Sequence, residues 1–146
     1  MGKLVELLAL VVVGVMAGSE FAVAAFLHPI LGRLPDEVFR SARIDSGQLL
    51  GRAMPWWYLA SLALLVAAAV ATDSQRWVIG TGAGLLAVVV LLTVAVLVPI
   101  NNRIVAWRAT GAVSRALAGR WDRLHWLRVA ALASIFALLV IGVLNS

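Results

Sequence analysis

The chain has 146 residues and a formal net charge of +5, with 63% hydrophobic and only 13% charged residues. Soluble domains carry about 45–50% apolar and about 25% charged residues, and a small domain needs polar side chains to cover its surface, so the composition excludes an ordinary water-soluble globule. Disorder is excluded by the aliphatic content, and the absence of cysteine removes disulfides, thiolate metal sites and cysteine nucleophiles.

Four long apolar runs follow in chain order, at about 4–27, 54–71, 78–100 and 127–144. Each is near the ~20 residues a helix needs to cross ~30 Å of hydrocarbon. The first run, with Lys3 ahead of it and Ala22-Val23-Ala24 near its end, has a competing reading as a signal peptide. Cleavage there would leave three helices and badly placed arginines, so it is read as a span. The tryptophans Trp56, Trp57, Trp77, Trp107, Trp121 and Trp126 all fall at span ends or in connections, where indoles settle at headgroup level. The expected architecture is all-α: one integral membrane domain over 1–146, an up–down four-helix bundle with helical extensions on the cytoplasmic side.

Charge sets the expected orientation. The termini and the short turn between the second and third spans hold Lys3 and Arg76. The other two connections hold Arg33, Arg40, Arg43, Arg52, Arg103, Arg108, Arg115, Arg120, Arg123 and Arg128. This asymmetry predicts a multi-pass protein of the plasma (inner) membrane, with long basic loops cytoplasmic and both termini outside. The basic charge is thus a topogenic signal and a contact for anionic lipid; nucleic acid is not an expected partner.

Within the first long connection, Pro35-Asp36-Glu37 suits a helix start, and Val38, Phe39, Ala42, Leu49 and Leu50 suit an interfacial helix or one leading into the second span. Val113, Leu117, Trp121 and Leu124 recur at helical spacing in the second, with Gly111 and Gly119 as expected interruptions. No repeat stands out. Gly14/Gly18 and Gly80/Gly84 form G-x-x-x-G pairs, which suit close packing within the bundle or a homo-oligomer.

Glu20 is the one ionisable side chain deep inside a span, about 12 Å of helix from His28. A carboxylate in hydrocarbon costs on the order of 3 kcal/mol. Two readings stand open: a proton-handling group in a cavity, or a neutral carboxyl hydrogen-bonded to a facing helix through Thr93 or a backbone carbonyl. His28 ends the first span and His125 begins the fourth, which puts both imidazoles at one membrane face. Each is a candidate base or metal ligand, or an interfacial histidine bonded to backbone. Trp121, His125 and Arg128 fall at i, i+4 and i+7 on one helix face, giving an aromatic wall, a base and a fixed positive charge. Pro99-Ile100-Asn101-Asn102-Arg103 with Trp107, and Met54-Pro55-Trp56-Trp57-Tyr58, gather at the same end. No phosphate-binding glycine loop, H-E-x-x-H or paired E-x-x-H motif occurs. Glu20 and His28 are poorly placed to share a metal, being ~12 Å apart along a helix and ~80° apart around it.

The combination Ala17-Gly18-Ser19-Glu20-Phe21 with His28-Pro29, Met54-Pro55-Trp56-Trp57-Tyr58, Pro99-Ile100-Asn101 with Trp107, and Trp121-x-x-Leu124-His125-Trp126-x-Arg128 resembles the anthrone-oxygenase-like family of small four-helix membrane proteins, much of it of unknown function. The resemblance implies a four-helix fold and, as in some fungal members, oxidation of anthrones to anthraquinones by dioxygen. The delocalised carbanion left by removing the acidic C–H proton of an anthrone can react with dioxygen without a cofactor. Such chemistry requires a base, a stabiliser for the enolate oxygen and an aromatic pocket. His125 or His28 would serve as base, Arg128 or Asn101 as stabiliser, and Trp121, Trp107, Trp56 and Trp57, with Tyr58 beside them, as walls; Glu20 is the remaining catalytic candidate. The expectation is therefore a membrane-embedded oxidoreductase acting on a small hydrophobic aromatic or quinonoid substrate in a pocket at the cytoplasmic end, with the lipid bilayer as surroundings. The rivals are a haem- or transition-metal-binding electron-transfer module ligated by His28 and His125, and a structural membrane subunit without chemistry.

Overall fold

A computed structural model describes residues 1–146 as four long helices and no strands. They are α1 (Gly2–Gly32), α2 (Asp36–Ala71), α3 (Arg76–Thr110) and α4 (Arg115–Leu144), each long and apolar enough to cross a membrane. The protein is an integral membrane four-helix bundle. Each helix packs against its two ring neighbours, α1 on α2 and α4, and α3 on α2 and α4, as short connections between antiparallel helices require.

The helices overrun the hydrocarbon at the end where the arginines collect. At 1.5 Å per residue α2 is about 54 Å long, against ~30 Å of hydrocarbon. It starts where expected, with Pro35 before it and Asp36 and Glu37 in its first turn, and runs unbroken through Pro55 into the second span. The interfacial segment and the second span are thus one helix. Of the two expected interruptions only Gly111 is real: it closes α3 in the left-handed conformation at φ 69°, which a residue without Cβ adopts at no steric cost. Gly119 lies inside α4, whose N-terminus is capped by Ser114 accepting from the Leu117 N–H at 3.2 Å.

Two apolar clusters result. The larger fills the membrane part, with Met16, Leu65, Ile79, Leu86, Leu132 and Ile135 fully buried. Here Gly14 closes on the Phe136 ring, whereas Gly18, Gly80 and Gly84 face open space. The smaller cluster lies at the basic end, where Phe39, Ile44, Ile100, Ile104 and Trp107 come together. Ion pairs tie that end across the helices: Arg115 to Asp36 at 2.9 Å and Arg108 to Asp45 at 2.8 Å. Arg115 also donates to the carbonyls of Gly32 and Leu34, so it staples the α1–α2 connection to α4. At the opposite end Glu6 is buried and accepts from Thr72 and Ser146, closing the two termini onto the α2–α3 turn.

One device occurs twice. Before Pro29 and before Pro99 the helix widens into a π-turn, Val23–Leu27 in α1 and Thr93–Leu97 in α3. Proline lacks an N–H, and its ring collides with the carbonyl four residues back. Widening relieves the collision, and the His28 and Val98 N–H groups reach back five residues to Val23 and Thr93. Both wide turns flank the space between the two apolar clusters.

Candidate functional site

That space is a cavity of about 260 Å³ lined by all four helices. Helices α1 and α4 supply a polar wall of Glu20, His28, Trp121, His125 and Arg128, and α2 and α3 supply a mostly apolar one. The extra residue in a π-turn rotates everything beyond it about the axis, and such turns recur at functional sites. His28 follows one directly, and Thr93, Val94 and Leu97 of the other line the cavity.

Glu20 is 2% exposed, yet it is not the solitary neutral carboxyl of the hydrocarbon argument. Its Oε2 accepts from Arg128 Nη2 at 2.8 Å and its Oε1 from the Tyr58 hydroxyl at 3.0 Å. Thr93, the expected partner, instead meets Arg128 Nη1 at 3.5 Å. A buried carboxylate facing a guanidinium is a matched pair, each ion offsetting the other's desolvation. Arg128 therefore turns inward rather than reaching for headgroups.

His125 is completely buried and both of its ring nitrogens are engaged. Nε2 lies 3.0 Å from the backbone carbonyl of Glu20, which only accepts, so Nε2 carries the proton. Nδ1 lies 3.0 Å from Arg128 Nη2 and 3.2 Å from Glu20 Oε2. The two hydrogens of Nη2 thus serve Glu20 and His125 together. The imidazole stacks on Trp121, with centroids 4.9 Å apart at 17°. Glu20, Tyr58, His125 and Arg128 form one locked network across α1, α2 and α4.

His28 is different. Its ring sits edge-on to Trp121 and His125, at centroid distances of 5.2 and 5.6 Å. Nδ1 is 3.2 Å from Asp122 Oδ1, but out of line, so it has no hydrogen-bond partner. Asp122 Oδ1 also accepts from Arg43 Nη1 at 2.8 Å, and the Arg43 guanidinium lies 5.6 Å from the Trp121 ring centre. Three buried side-chain polar atoms in the chain lack a partner: His28 Nδ1, Trp121 Nε1 and Arg128 Nε. All three belong to residues of this one cavity.

Of the residues singled out from the sequence, Glu20, His28, Tyr58, Asn101, Trp121, His125 and Arg128 meet at the cavity. Asn101 is spent in part on the scaffold, its Nδ2 donating to the Gly47 carbonyl at 3.4 Å. Trp56, Trp57 and Trp107 are not walls of it. Trp56 is 76% exposed, and the Trp57 indole donates to the Val12 carbonyl at 3.1 Å, anchoring α2 on α1. Successive helical residues point about 100° apart, so of positions 56, 57 and 58 only Tyr58 faces in. Trp107 packs on Phe39 in the basic-end cluster, at 6.5 Å between ring centres.

Two residues were missed. Arg43 was counted only as topogenic charge but is buried in the wall. Asp122 is the one acidic residue between 101 and 128, and it stands three positions before His125, a spacing that shares a helix face; that signal was present. A metal or haem held by both histidines fits poorly. Both His125 ring nitrogens are engaged, by the Glu20 carbonyl and by Arg128 Nη2, so it has no free lone pair, and Arg128 adds positive charge beside it. Neutral imidazole nitrogen is what a metal needs.

Neither a curated protein nor a solved structure matches the chain. Residues 44–138, which carry Arg43's neighbours in α2, the wide turn of α3 and the Trp121–Arg128 face of α4, match the anthrone oxygenase family. The match covers well over half of the sequence, and with four spanning helices around a polar-walled cavity, the chain belongs to the anthrone oxygenase family as an integral membrane, oxygenase-like protein.

Proposed function

We propose that the protein is a cofactor-independent oxygenase for a small, flat aromatic ketone with an acidic C–H, such as an anthrone. The observation that carries this is the set of unpartnered polar atoms: Trp121 Nε1, Arg128 Nε and His28 Nδ1 surround one cavity. Buried polar groups are nearly always paired, so three together point to a ligand that pairs them. Trp121 and Arg128 offer N–H donors for a carbonyl or enolate oxygen. The volume lies just below the roughly 300–1,000 Å³ of ordinary small-molecule sites, which suits a compact ring system.

His28 is the base in this reading, because His125 is held by its own partners. The Asp122 carboxylate, 3.2 Å from Nδ1 though out of line for a hydrogen bond, stabilises the imidazolium that forms when His28 takes the proton. The C–H pair passes into the ring system, and the charge gathers on the ketone oxygen opposite Arg128 and Trp121. Dioxygen then forms a bond to that carbon, and the resulting peroxide takes the proton back from His28. Loss of water leaves a second carbonyl, so substrate and dioxygen become quinone and water. Glu20 and Tyr58 are positioning residues that hold Arg128 in place. The ten-to-two distribution of basic residues supports a plasma (inner) membrane location with the basic end and its cavity toward the cytoplasm.

The test is oxidation of anthrone by the full chain in lipid vesicles, followed by anthraquinone formation and equimolar oxygen uptake in the presence of a chelator. His28→Gln is expected to lower the rate by roughly 10²–10⁴-fold, the usual range for a general base, with thermal stability in detergent unchanged. A folded His28→Gln variant with full activity would remove His28 from the mechanism.

A further inference from the structure

The cavity is not sealed, and its opening has a definite direction. Its polar wall belongs to α1 and α4, where Glu20, His28 and His125 are buried. The exposed lining residues all lie on the other two helices: Gly51, Pro55 and Leu59 on α2, facing Val94 and Val98 on α3. Leu59, Val94 and Val98 are 53%, 61% and 42% exposed, so they form the two lips of a seam rather than a closed wall. Every one of these side chains is apolar or absent. Leu59, Val94 and Val98 fall inside the apolar stretches of their helices, so the seam faces hydrocarbon.

Toward water the same cavity is stopped. Asn101 bridges to the Gly47 carbonyl, and its side chain lies so close against α2 there that a Cβ on Gly47 would be 2.8 Å from Asn101 Oδ1. Beyond that bridge the Phe39–Ile104–Trp107 cluster fills the basic end. A ligand dissolved in water meets a plug, and a ligand dissolved in the bilayer meets a gap.

We infer that the site is loaded sideways from the membrane, through the seam between α2 and α3 bounded by Gly51, Pro55 and Leu59 on one lip and Val94 and Val98 on the other. The ligand class is a bilayer-partitioned aromatic ketone that enters with its carbonyl leading toward Arg128 and Trp121. This rests on the proposed oxygenase reading for the identity of the ligand, though not for the route. An apolar threshold of this kind also selects substrates: a ring system carrying a charged substituent would have to desolvate that charge in the seam.

The experiment uses the full-length protein in phosphatidylcholine vesicles with benzophenone, a bilayer-soluble diaryl ketone that couples to nearby C–H bonds on illumination. Adducts mapped by mass spectrometry are expected to concentrate at Leu59, Val94 and Val98, and to fall on the order of tenfold when excess anthraquinone competes. Adducts no denser there than at Val11 and Ile141, which are exposed on the other two helices, or undiminished by anthraquinone, would overturn the route. In the activity arm, Leu59→Trp and Val94→Trp are each expected to slow oxidation of bilayer anthrone by about tenfold, and Val11→Trp to leave it unchanged. Full rates in folded seam variants would likewise overturn it. If wild-type protein leaves anthrone unoxidised, the oxygenase reading fails while the adduct map still decides the route.

Discussion

Glu20→Leu is expected to be among the most destabilising single substitutions in the chain. The side chain is buried with Arg128, at 2.8 Å, and Tyr58, at 3.0 Å, as its partners. Removing one member of a buried ion pair strands the other, at a cost of about 3–5 kcal/mol. Arg128 has little to fall back on, since its Nε is already unpartnered and its Nη1 reaches Thr93 only at 3.5 Å. The Tyr58 hydroxyl loses its acceptor as well, and hydrogen bonds to charged groups contribute about 1.5–3 kcal/mol; this overlaps the first term and sets a lower bound. Glu20→Gln keeps an acceptor for one of the two donors, so its cost is expected to be smaller. Replacing both ions, as in Glu20→Leu with Arg128→Met, removes the stranded charge and should recover much of the loss. The assay is reversible unfolding in mixed micelles across the double-mutant cycle. Strict additivity of the two single changes, or a Glu20→Leu variant as stable as the wild type, would refute the pairing.

Gly47→Ala should fall short of the up to about 1 kcal/mol that alanine normally gains over glycine in a helix interior, because the new Cβ meets Asn101 Oδ1 at 2.8 Å and displaces that side chain. With Asn101→Ala in the background the full gain should appear, and thermal melting of the four variants checks it. For the orientation, Asp73→Cys in the exposed α2–α3 turn should react with an impermeant thiol reagent in intact cells, whereas Arg120→Cys at the basic end should react only after lysis. The absence of native cysteine makes each reading unambiguous, and the reverse pattern would invert the proposed topology.

Span number, the up–down order and the face shared by Trp121, His125 and Arg128 were legible from the sequence, because each follows from local rules. A helix must be long and apolar enough to cross lipid, and residues four and seven apart share a face regardless of what lies opposite. The convergence of His28 with His125 was also within reach, since both stand at span ends on one side. Other features depended on which helix faces which. The sequence could weigh Glu20 only as a carboxyl in hydrocarbon; the ring order of the bundle sets Arg128 of α4 and Tyr58 of α2 against it and makes it half of an ion pair. The family resemblance suggested Trp56, Trp57 and Trp107 as walls of one pocket, but helical rotation sends them to lipid, to the α1 backbone and to the basic-end core. Asp122 and Arg43 read as ordinary members of charged connections until packing brought them together, 79 residues apart, beside His28. Local periodicity fixes the direction of a side chain relative to its own helix axis, whereas a partner's charge, a free nitrogen or an open seam is a property of two helices at once, and only their packing determines it.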